Sequence, residues 1–233
     1  RVQAHYWGAD PVRILNFLPI NHVGCVGDIS SFVLVTGGCS VFLEQFDARR
    51  SMELIEQEKI TVWGGVPTTI QMCLDLPDAE KFDLSSVQVI AWSGAAAPQP
   101  LIERMRKITP NLSTSYGLTE SVGSITYAPV GASPEVLSNT IGAPAPEYEF
   151  RIATPEGEAA PVGEAGEIQL RGDYLMLGYL NRPEATREVL DAEGWLHTGD
   201  LGRRRADGNI ELVGRIKEMY KSGGYNVYPR EIE

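Results

Sequence analysis

Thr114-Ser115-Tyr116-Gly117-Leu118-Thr119-Glu120-Ser121 closes a series of short apolar runs, and its reading decides the fold. Leu112 to Tyr116 reads as a strand, and Gly117 breaks it. Within five residues the segment offers an aromatic ring, a flexible backbone, a hydroxyl and a carboxylate. An aromatic face can stack on a purine. A neighbouring hydroxyl and carboxylate, Thr119 and Glu120, can hold a phosphate and its metal ion. Taken alone, the same residues also read as a strand end, a turn and a helix N-terminus, with Thr119 or Ser121 near the cap.

Working outward from this segment, apolar runs alternate with helical spacings. Arg13 to Pro19, Ser40 to Leu43, Ile60 to Trp63 and Val87 to Trp92 read as four earlier strands. Between them, His22 to Val35 reads as a loop feeding a helix closed by Gly37-Gly38. Asp47 is placed to cap a helix that carries Met52 and Ile55. Pro67 opens another helix, with Ile70 and Leu74 on one side, and Leu101, Met105 and Ile108 share a further helix face. This alternation predicts an α/β unit over residues 1–125, a mainly parallel sheet covered by helices.

From Thr126 the pattern changes. Pro and Gly punctuate short β-like runs, clearest at Glu147 to Ile152 and Gly166 to Leu170. Asp200 to Arg204 and Asn209 to Val213 read as a hairpin closed at Asp207-Gly208. Pro183 opens one short helix. The expectation is a β-rich, barrel-like subdomain over 126–213, followed by a distinct segment over 214–233.

Composition excludes several classes of function. The chain has 233 residues, 43% hydrophobic and 22% charged, with a net charge of -11. Such an acidic chain attracts neither nucleic acid nor an anionic membrane surface. Its apolar runs, such as Phe32 to Val35, are too short to span a bilayer, and no signal-peptide pattern opens it. Cys25, Cys39 and Cys73 are scattered and odd in number, which favours a reducing, cytoplasmic setting over a disulfide framework. With only His5, His22 and His197, and no close His/Cys pairing, a structural zinc site is not expected. Arg1 opens an amphipathic stretch without an initiator Met, and Pro229 to Glu233 reads as a first helical turn with nothing behind it. The expectation is therefore a piece of a longer protein, of unspecified oligomeric state.

Two Gly-rich turns fall at the expected carboxyl edge of the sheet, where α/β proteins bind ligands. One is Ser93-Gly94-Ala95-Ala96-Ala97, whose small residues let backbone approach a flat ring. The other is the Tyr116 segment. Farther on come Gly194-Trp195-Leu196-His197-Thr198-Gly199-Asp200, then Gly214-Arg215-Ile216-Lys217 and Lys221-Ser222-Gly223-Gly224-Tyr225-Asn226-Val227-Tyr228-Pro229. Together with Gly166 to Gly172 and Gly178-Tyr179, these strings resemble, in order and spacing, the adenylate-forming superfamily. That superfamily comprises acyl-CoA synthetases, firefly-type luciferases and peptide-synthetase adenylation domains.

The resemblance implies an enzyme that uses ATP and magnesium to convert a carboxylic acid to its acyl-adenylate, then transfers the acyl group to CoA. It implies that Gly94, Ala95, Ala96 and Tyr116 enclose the adenine, that Thr119 contacts phosphate, and that Glu120 binds magnesium. Asp200 would hold the ribose hydroxyls, with Arg215 supporting the ribose and phosphate. His22, in Pro19-Ile20-Asn21-His22, would line the carboxylate pocket, and Gly117 and Gly24-Cys25-Val26 would shape the acyl pocket. Lys217 would be the hinge of a C-terminal lid that begins at Lys221, with Gly223 and Gly224 leaving room for the pantetheine arm of CoA. The family's Ser/Thr/Gly-rich phosphate loop would lie before Arg1 and its lid lysine after Glu233.

Peptide-synthetase domains hold an α-amino group with an Asp in an F-D-x-S string, which is missing here. Asp47 reads as a helix cap, and so does Asp28, the acid nearest the pocket segment. The favoured substrate is therefore a fatty or aryl acid without an amino group. The same motifs are compatible with a non-catalytic nucleotide-binding or scaffolding module, or with a luciferase-like oxidoreductase.

Overall fold

The computed structural model describes residues 2–218 and the backbone of 220–222 and 225–227. Helix α1 (Val2–Trp7) leads to β1 (Arg13–Asn16). A π-helical segment, Gly24–Ser30, then runs directly into α2 (Ser31–Thr36). There follow β2 (Cys39–Phe42), α3 (Ala48–Gln57), β3 (Val62–Gly65), α4 (Pro67–Leu74), β4 (Val89–Ser93), α5 (Gln99–Arg106) and β5 (Leu112–Leu118). Local chemistry accounts for several boundaries. Asp47 caps α3, accepting Arg50 N–H at 2.7 Å. Pro67 sits in the first turn of α4, where its missing N–H costs nothing.

These five strands form the parallel part of a seven-stranded sheet, in the order β2-β1-β3-β4-β5-β6-β7. Side chains alternate between its faces. Leu15, Trp63, Ile90, Trp92 and Leu112 meet Met52 and Ile55 of α3, Ile70 of α4 and Leu101, Ile102 and Met105 of α5. Ile14, Val62, Val89 and Ala91 face the other way, onto Trp7, Ile29, Phe32 and Val33. Full burial of side chains of this size contributes about 1.5–3 kcal/mol each. The two packed faces thus hold the sheet and fix its carboxyl edge.

The segment after Tyr116 departs from the expected helix start. Strand β5 continues to Leu118, turns, and returns antiparallel as β6 (Gly123–Tyr127). Ser121 staples the turn: its hydroxyl accepts Leu118 N–H at 2.9 Å and donates to Gly123 O at 2.8 Å. It caps a hairpin rather than a helix. Gly117 is required there, because a Cβ would stand 2.1 Å from the backbone oxygen of Gly123.

After β6 come α6 (Pro134–Asn139) and β7 (Ala143–Pro144). Helix α6 was hidden among the Pro and Gly of that stretch. Ser133 caps it, accepting Val136 N–H at 3.2 Å. Both β6 and β7 join the first sheet. Then β8 (Glu149–Ala153), β9 (Ala165–Arg171), α7 (Pro183–Val189), β10 (Leu196–Arg204) and β11 (Ile210–Arg215) complete the second unit. Its four strands are antiparallel in the order β11-β10-β9-β8. The edge strands β8 and β11 do not pair, so the β-rich part is an open sheet and not a closed barrel. Ile152, Ile168, Leu170, Leu196 and Ile210 pack beneath it with Ile125 of β6. A short hairpin of β12 (Tyr220–Ser222) and β13 (Tyr225–Val227) follows.

Candidate active site

Where the carboxyl ends of β1, β3, β4 and β5 meet β10 and β11, the chain encloses a cavity of about 1130 Å³. Gly94, Ala95, Ala96, Tyr116, Gly117, Thr119, Glu120, Asp200, Arg215 and His22 all line it. Residues up to 193 positions apart in the chain are therefore gathered around one space. Gly94, Ala95 and Ala96 stand exposed at its lip, while Ala97 anchors the turn in the core. Gly94 has φ +85°, a left-handed conformation that exposes its backbone to the cavity at little steric cost.

The two sheets are joined at this cavity by a three-residue array. The Tyr116 hydroxyl donates to Asp200 Oδ2 at 2.5 Å, and Arg215 Nε stands 2.9 Å from Asp200 Oδ1. Asp200 is only 3% exposed, so its charge rests on these two donors. Pairing of Asp200 with Arg215 across the β10–β11 ladder sets the register. Thr198 supports it, accepting Asp200 N–H at 3.1 Å. Burial, then the adjacent Asp200 charge, push the Tyr116 phenol far above its ordinary range, so it remains a donor.

At the hairpin tip Thr119 is exposed and Glu120 half-buried. The Tyr179 hydroxyl donates to Glu120 Oε1 at 2.6 Å, and Met176 N–H donates to Glu120 O at 2.8 Å. The Glu120 hydrogen bond pushes the Tyr179 phenol up to about 12. Sequence reasoning placed Tyr179 within a motif but missed this latch. Its signal was an aromatic flanked by Gly178 and Leu180 in a stretch with no helical or strand period.

The inner wall lies on the face of the first sheet that carries Ile14 and Val62. Small residues stand in register there, Gly64 beside Ala91 and Ser93 beside Ser115, which leaves room above the strands. Opposite are Gly24, Asp28 and Ile29 of the π-helical segment. Of Gly24-Cys25-Val26, Gly24 alone lines the space. Cys25 is buried behind it, with Asn16 Nδ2 at 3.3 Å from its sulfur. His22 is exposed at the mouth, and its Nδ1 accepts Gly24 N–H at 3.0 Å, which places the ring proton on Nε2.

Asp28 is not a helix cap. It sits in the middle of the π-helical segment and points its carboxylate at β6. Oδ1 accepts Ser124 N–H at 3.0 Å and Gln3 Nε2 at 2.8 Å, and Oδ2 accepts the Ser124 hydroxyl at 3.2 Å. Burial raises its pKa despite these donors. Spacing could not reveal this, because the partner is 96 residues away.

Lys217 occupies an exposed turn after β11 and is outside the cavity wall. Lys221 belongs to β12 by its backbone, but its side chain, like Gly223 and Gly224, lies outside the described residues. His197 is turned from the cavity, with Nδ1 2.8 Å from Glu167 Oε2 and Nε2 3.3 Å from Asp191 Oδ2. Among the described residues no three His, Cys, Asp or Glu side chains converge on a metal position. No described helix is long and apolar enough to cross a membrane.

A family model described as AMP-binding enzyme matches residues 2–180. The chain is 42% identical over 202 residues to a 3-[(3aS,4S,7aS)-7a-methyl-1,5-dioxo-octahydro-1H-inden-4-yl]propanoyl:CoA ligase of Rhodococcus jostii, covering 86% of this chain and 37% of the relative. It is 35% identical to a medium/long-chain-fatty-acid–CoA ligase of Mycobacterium tuberculosis, covering 97% of this chain and 39% of the relative. Among solved structures, an amide bond synthetase from Marinactinospora thermotolerans superimposes with a TM-score of 0.89 at 31% identity, over 100% of this chain and 47% of that one. The chain thus spans less than two fifths of the length of these two curated relatives.

Proposed function

Because the chain belongs to the AMP-binding enzyme family, we propose that its cavity takes an adenine nucleotide at the lip and a carboxylic acid within, and that the protein carrying it joins the acid to CoA through an acyl-adenylate. The observation that carries this reading is the buried Asp200, held by Tyr116 and Arg215 on the wall of a cavity of nucleotide size. Among the described residues each of its carboxylate oxygens has one side-chain partner, so each can accept a further hydrogen bond, which suits the two adjacent hydroxyls of a ribose.

In this reading the Tyr116 ring and the Gly94 to Ala96 backbone enclose the adenine. Thr119 and Glu120 lie toward the phosphates. Glu120 would hold magnesium: Tyr179 orients one carboxylate oxygen, and a carboxylate oxygen is the donor type a hard cation prefers. When bound, the ion would neutralise charge building on the phosphates. The acid's carboxylate oxygen attacks the α-phosphorus, and pyrophosphate leaves. The CoA sulfur then attacks the acyl carbon, and AMP leaves. Fixed donors such as Arg215 and the Thr119 hydroxyl stabilise the charge that develops. His22, with a proton on Nε2, supplies a donor at the mouth of the acyl chamber. Lys217 serves as the hinge of a lid whose first residues include Lys221, Gly223 and Gly224.

Fatty and ring-bearing acids are the substrate class, in keeping with the two curated relatives and with the apolar Ile14, Val62, Ile29 and Ala91 in the wall. The test is exchange of labelled pyrophosphate into ATP by the full-length protein, with magnesium and a panel of such acids. Acid-dependent exchange is expected. Its absence across the panel would end the proposal. Release of AMP on adding CoA, but not on adding an amine, then separates a CoA ligase from an amide synthetase.

A further inference from the structure

We infer that Glu167 is a positioning residue for nucleotide binding: steadied by His197, its carboxylate holds Gly199 and so aims Asp200 into the cavity. This rests on the reading of Asp200 as the ribose seat.

Strand β10 is irregular where it carries Asp200. His197 pairs with Gln169 and Leu201 with Glu167, so Thr198, Gly199 and Asp200 stand opposite the single residue Ile168. Such a bulge re-aims a side chain relative to the regular strand. Its middle residue, Gly199, has φ +71°, and a glycine there can change conformation at little steric cost. Three hydrogen bonds hold the bulge in shape. Thr198 Oγ1 donates to Ile168 O at 2.7 Å, Gly199 N–H donates to Glu167 Oε1 at 3.1 Å, and Gly199 O accepts Ile216 N–H at 2.9 Å. Ile216 follows Arg215, which pairs with Asp200. Gly199 is thus fixed at both its N–H and its carbonyl, and Glu167 supplies the side-chain contact.

Glu167 is itself held. Its Oε2 accepts Gln169 Nε2 at 2.8 Å and stands 2.8 Å from His197 Nδ1. The other ring nitrogen is 3.3 Å from Asp191 Oδ2, and Asp191 Oδ1 accepts Trp195 N–H at 2.8 Å. The imidazole is wedged between two carboxylates, which leaves Glu167 Oε1 for Gly199. The Glu167 side chain is 16% exposed, and a carboxylate so withdrawn from water is costly unless it is well hydrogen-bonded. Strand pairing does not call for it, because the ladder uses backbone groups. Glu167 and His197 both lie outside the cavity wall, so their effect reaches the nucleotide through the backbone between His197 and Asp200.

The test combines calorimetric titration of the full-length protein with AMP and steady-state pyrophosphate exchange. Glu167→Ala should raise the AMP Kd about 10-fold, as loss of one charged hydrogen bond predicts. KM for ATP should rise with it, while kcat at saturating ATP and KM for the acid stay within about twofold of wild type. Glu167→Gln keeps an acceptor for Gly199 N–H and should restore most of the affinity. His197→Leu, at a partly exposed position, should raise the Kd about threefold, and it guards against a Glu167 variant that fails to fold. In an Asp200→Ala background, Glu167→Ala should add less than about twofold, because the two residues act as one unit. A fully additive loss in the double variant overturns the inference. So does wild-type AMP affinity in the folded Glu167→Ala and His197→Leu proteins, or a fall in kcat with KM for ATP unchanged. Each of these leaves the ribose reading standing. Wild-type AMP affinity in Asp200→Ala alone removes that reading and the inference with it.

Discussion

The Tyr116 hydroxyl and Asp200 Oδ2 meet at 2.5 Å, joining the last parallel strand of the first sheet to an inner strand of the second. This one bond makes the opening of the cavity a property of both sheets. Asp200→Ala removes the buried acceptor and leaves Tyr116 and Arg215 without it. Nucleotide affinity should fall by ~1.5–3 kcal/mol, the range for a hydrogen bond to a charged group. Tyr116→Phe keeps the ring but loses the bond, and should cost about 1 kcal/mol. Calorimetric titration of the full-length protein with AMP measures both. An Asp200→Ala variant that binds AMP as tightly as the wild type would remove Asp200 from the ribose seat.

Gly117 is fixed by contact, because the β5–β6 hairpin brings Gly123 O to 2.1 Å from where its Cβ would be. The obstructing atom is backbone and cannot rotate away. Gly117→Ala should therefore destabilise the protein by ~3 kcal/mol or more. A denaturant midpoint within error of the wild type would show that the hairpin can spread at no cost.

Much of the first sheet was legible in the sequence because its signals are local. The runs around Ile14, Trp63 and Ile90 are short and apolar, and Asp47 and Pro67 announce the helices between them. The hairpin after Tyr116 was not legible, since Thr119 and Ser121 suit a helix cap as well as a turn. What decides is Ser121 folding back on Leu118 and Gly123, a contact that spacing does not specify. The cavity's lip was readable because its residues fall in motifs. Its inner wall was not: Asp28 meets Ser124 only after β6 has paired with β5, and Trp7 acquires its place only when α1 packs on Phe32 and Tyr127.

Asp28 also has a pH signature. Burial raises its pKa above the ordinary 3.8, so the native state holds the proton more tightly than the unfolded chain. As pH rises from 3.8 through the native value, the unfolded state ionises first and stability is lost. Asp28→Asn is neutral throughout. Its stability relative to wild type should therefore improve as pH rises across that window. Urea midpoints of both proteins between pH 4 and 7 test the sign, and a constant difference would place the Asp28 pKa at its unfolded value.

The N-cap of α3 offers a test of fold energetics away from the cavity. Asp47 Oδ1 accepts Arg50 N–H at 2.7 Å, and its neighbour Ser51 hydrogen-bonds back to Asp47 O. Asp47→Ala leaves one of the orphan N–H groups of the first turn to water. The expected cost is about 1 kcal/mol, and Asp47→Ser should recover most of it. Thermal denaturation compares the three proteins, and equal stability of the Ala and Asp forms would mean that the cap contributes nothing.

Tyr179 latches residues 172–182 onto the hairpin tip. Its hydroxyl reaches Glu120 Oε1, its N–H reaches Thr186 Oγ1 at 2.9 Å, and Met176 N–H reaches Glu120 O. The rest of this stretch is lightly held, with Leu177 fully exposed and Leu180 89% exposed. Losing one charged hydrogen bond at a partly exposed site should cost roughly 1 kcal/mol, enough to raise the open population about fivefold. Chymotrypsin should then cut Tyr179→Phe after Leu177 or Leu180 about five times faster than wild type, because cleavage follows the open population. The phenol ionises only near pH 12 in the folded protein, against 10 ordinarily. The latch's contribution is therefore intact below pH 10 and is lost between 10 and about 12. The same variant frees Glu120 to swing, so the magnesium concentration for half-maximal pyrophosphate exchange should rise. Unchanged proteolysis with a raised magnesium requirement would mean that Tyr179 orients Glu120 without holding the loop, and no change in either would dismiss the latch.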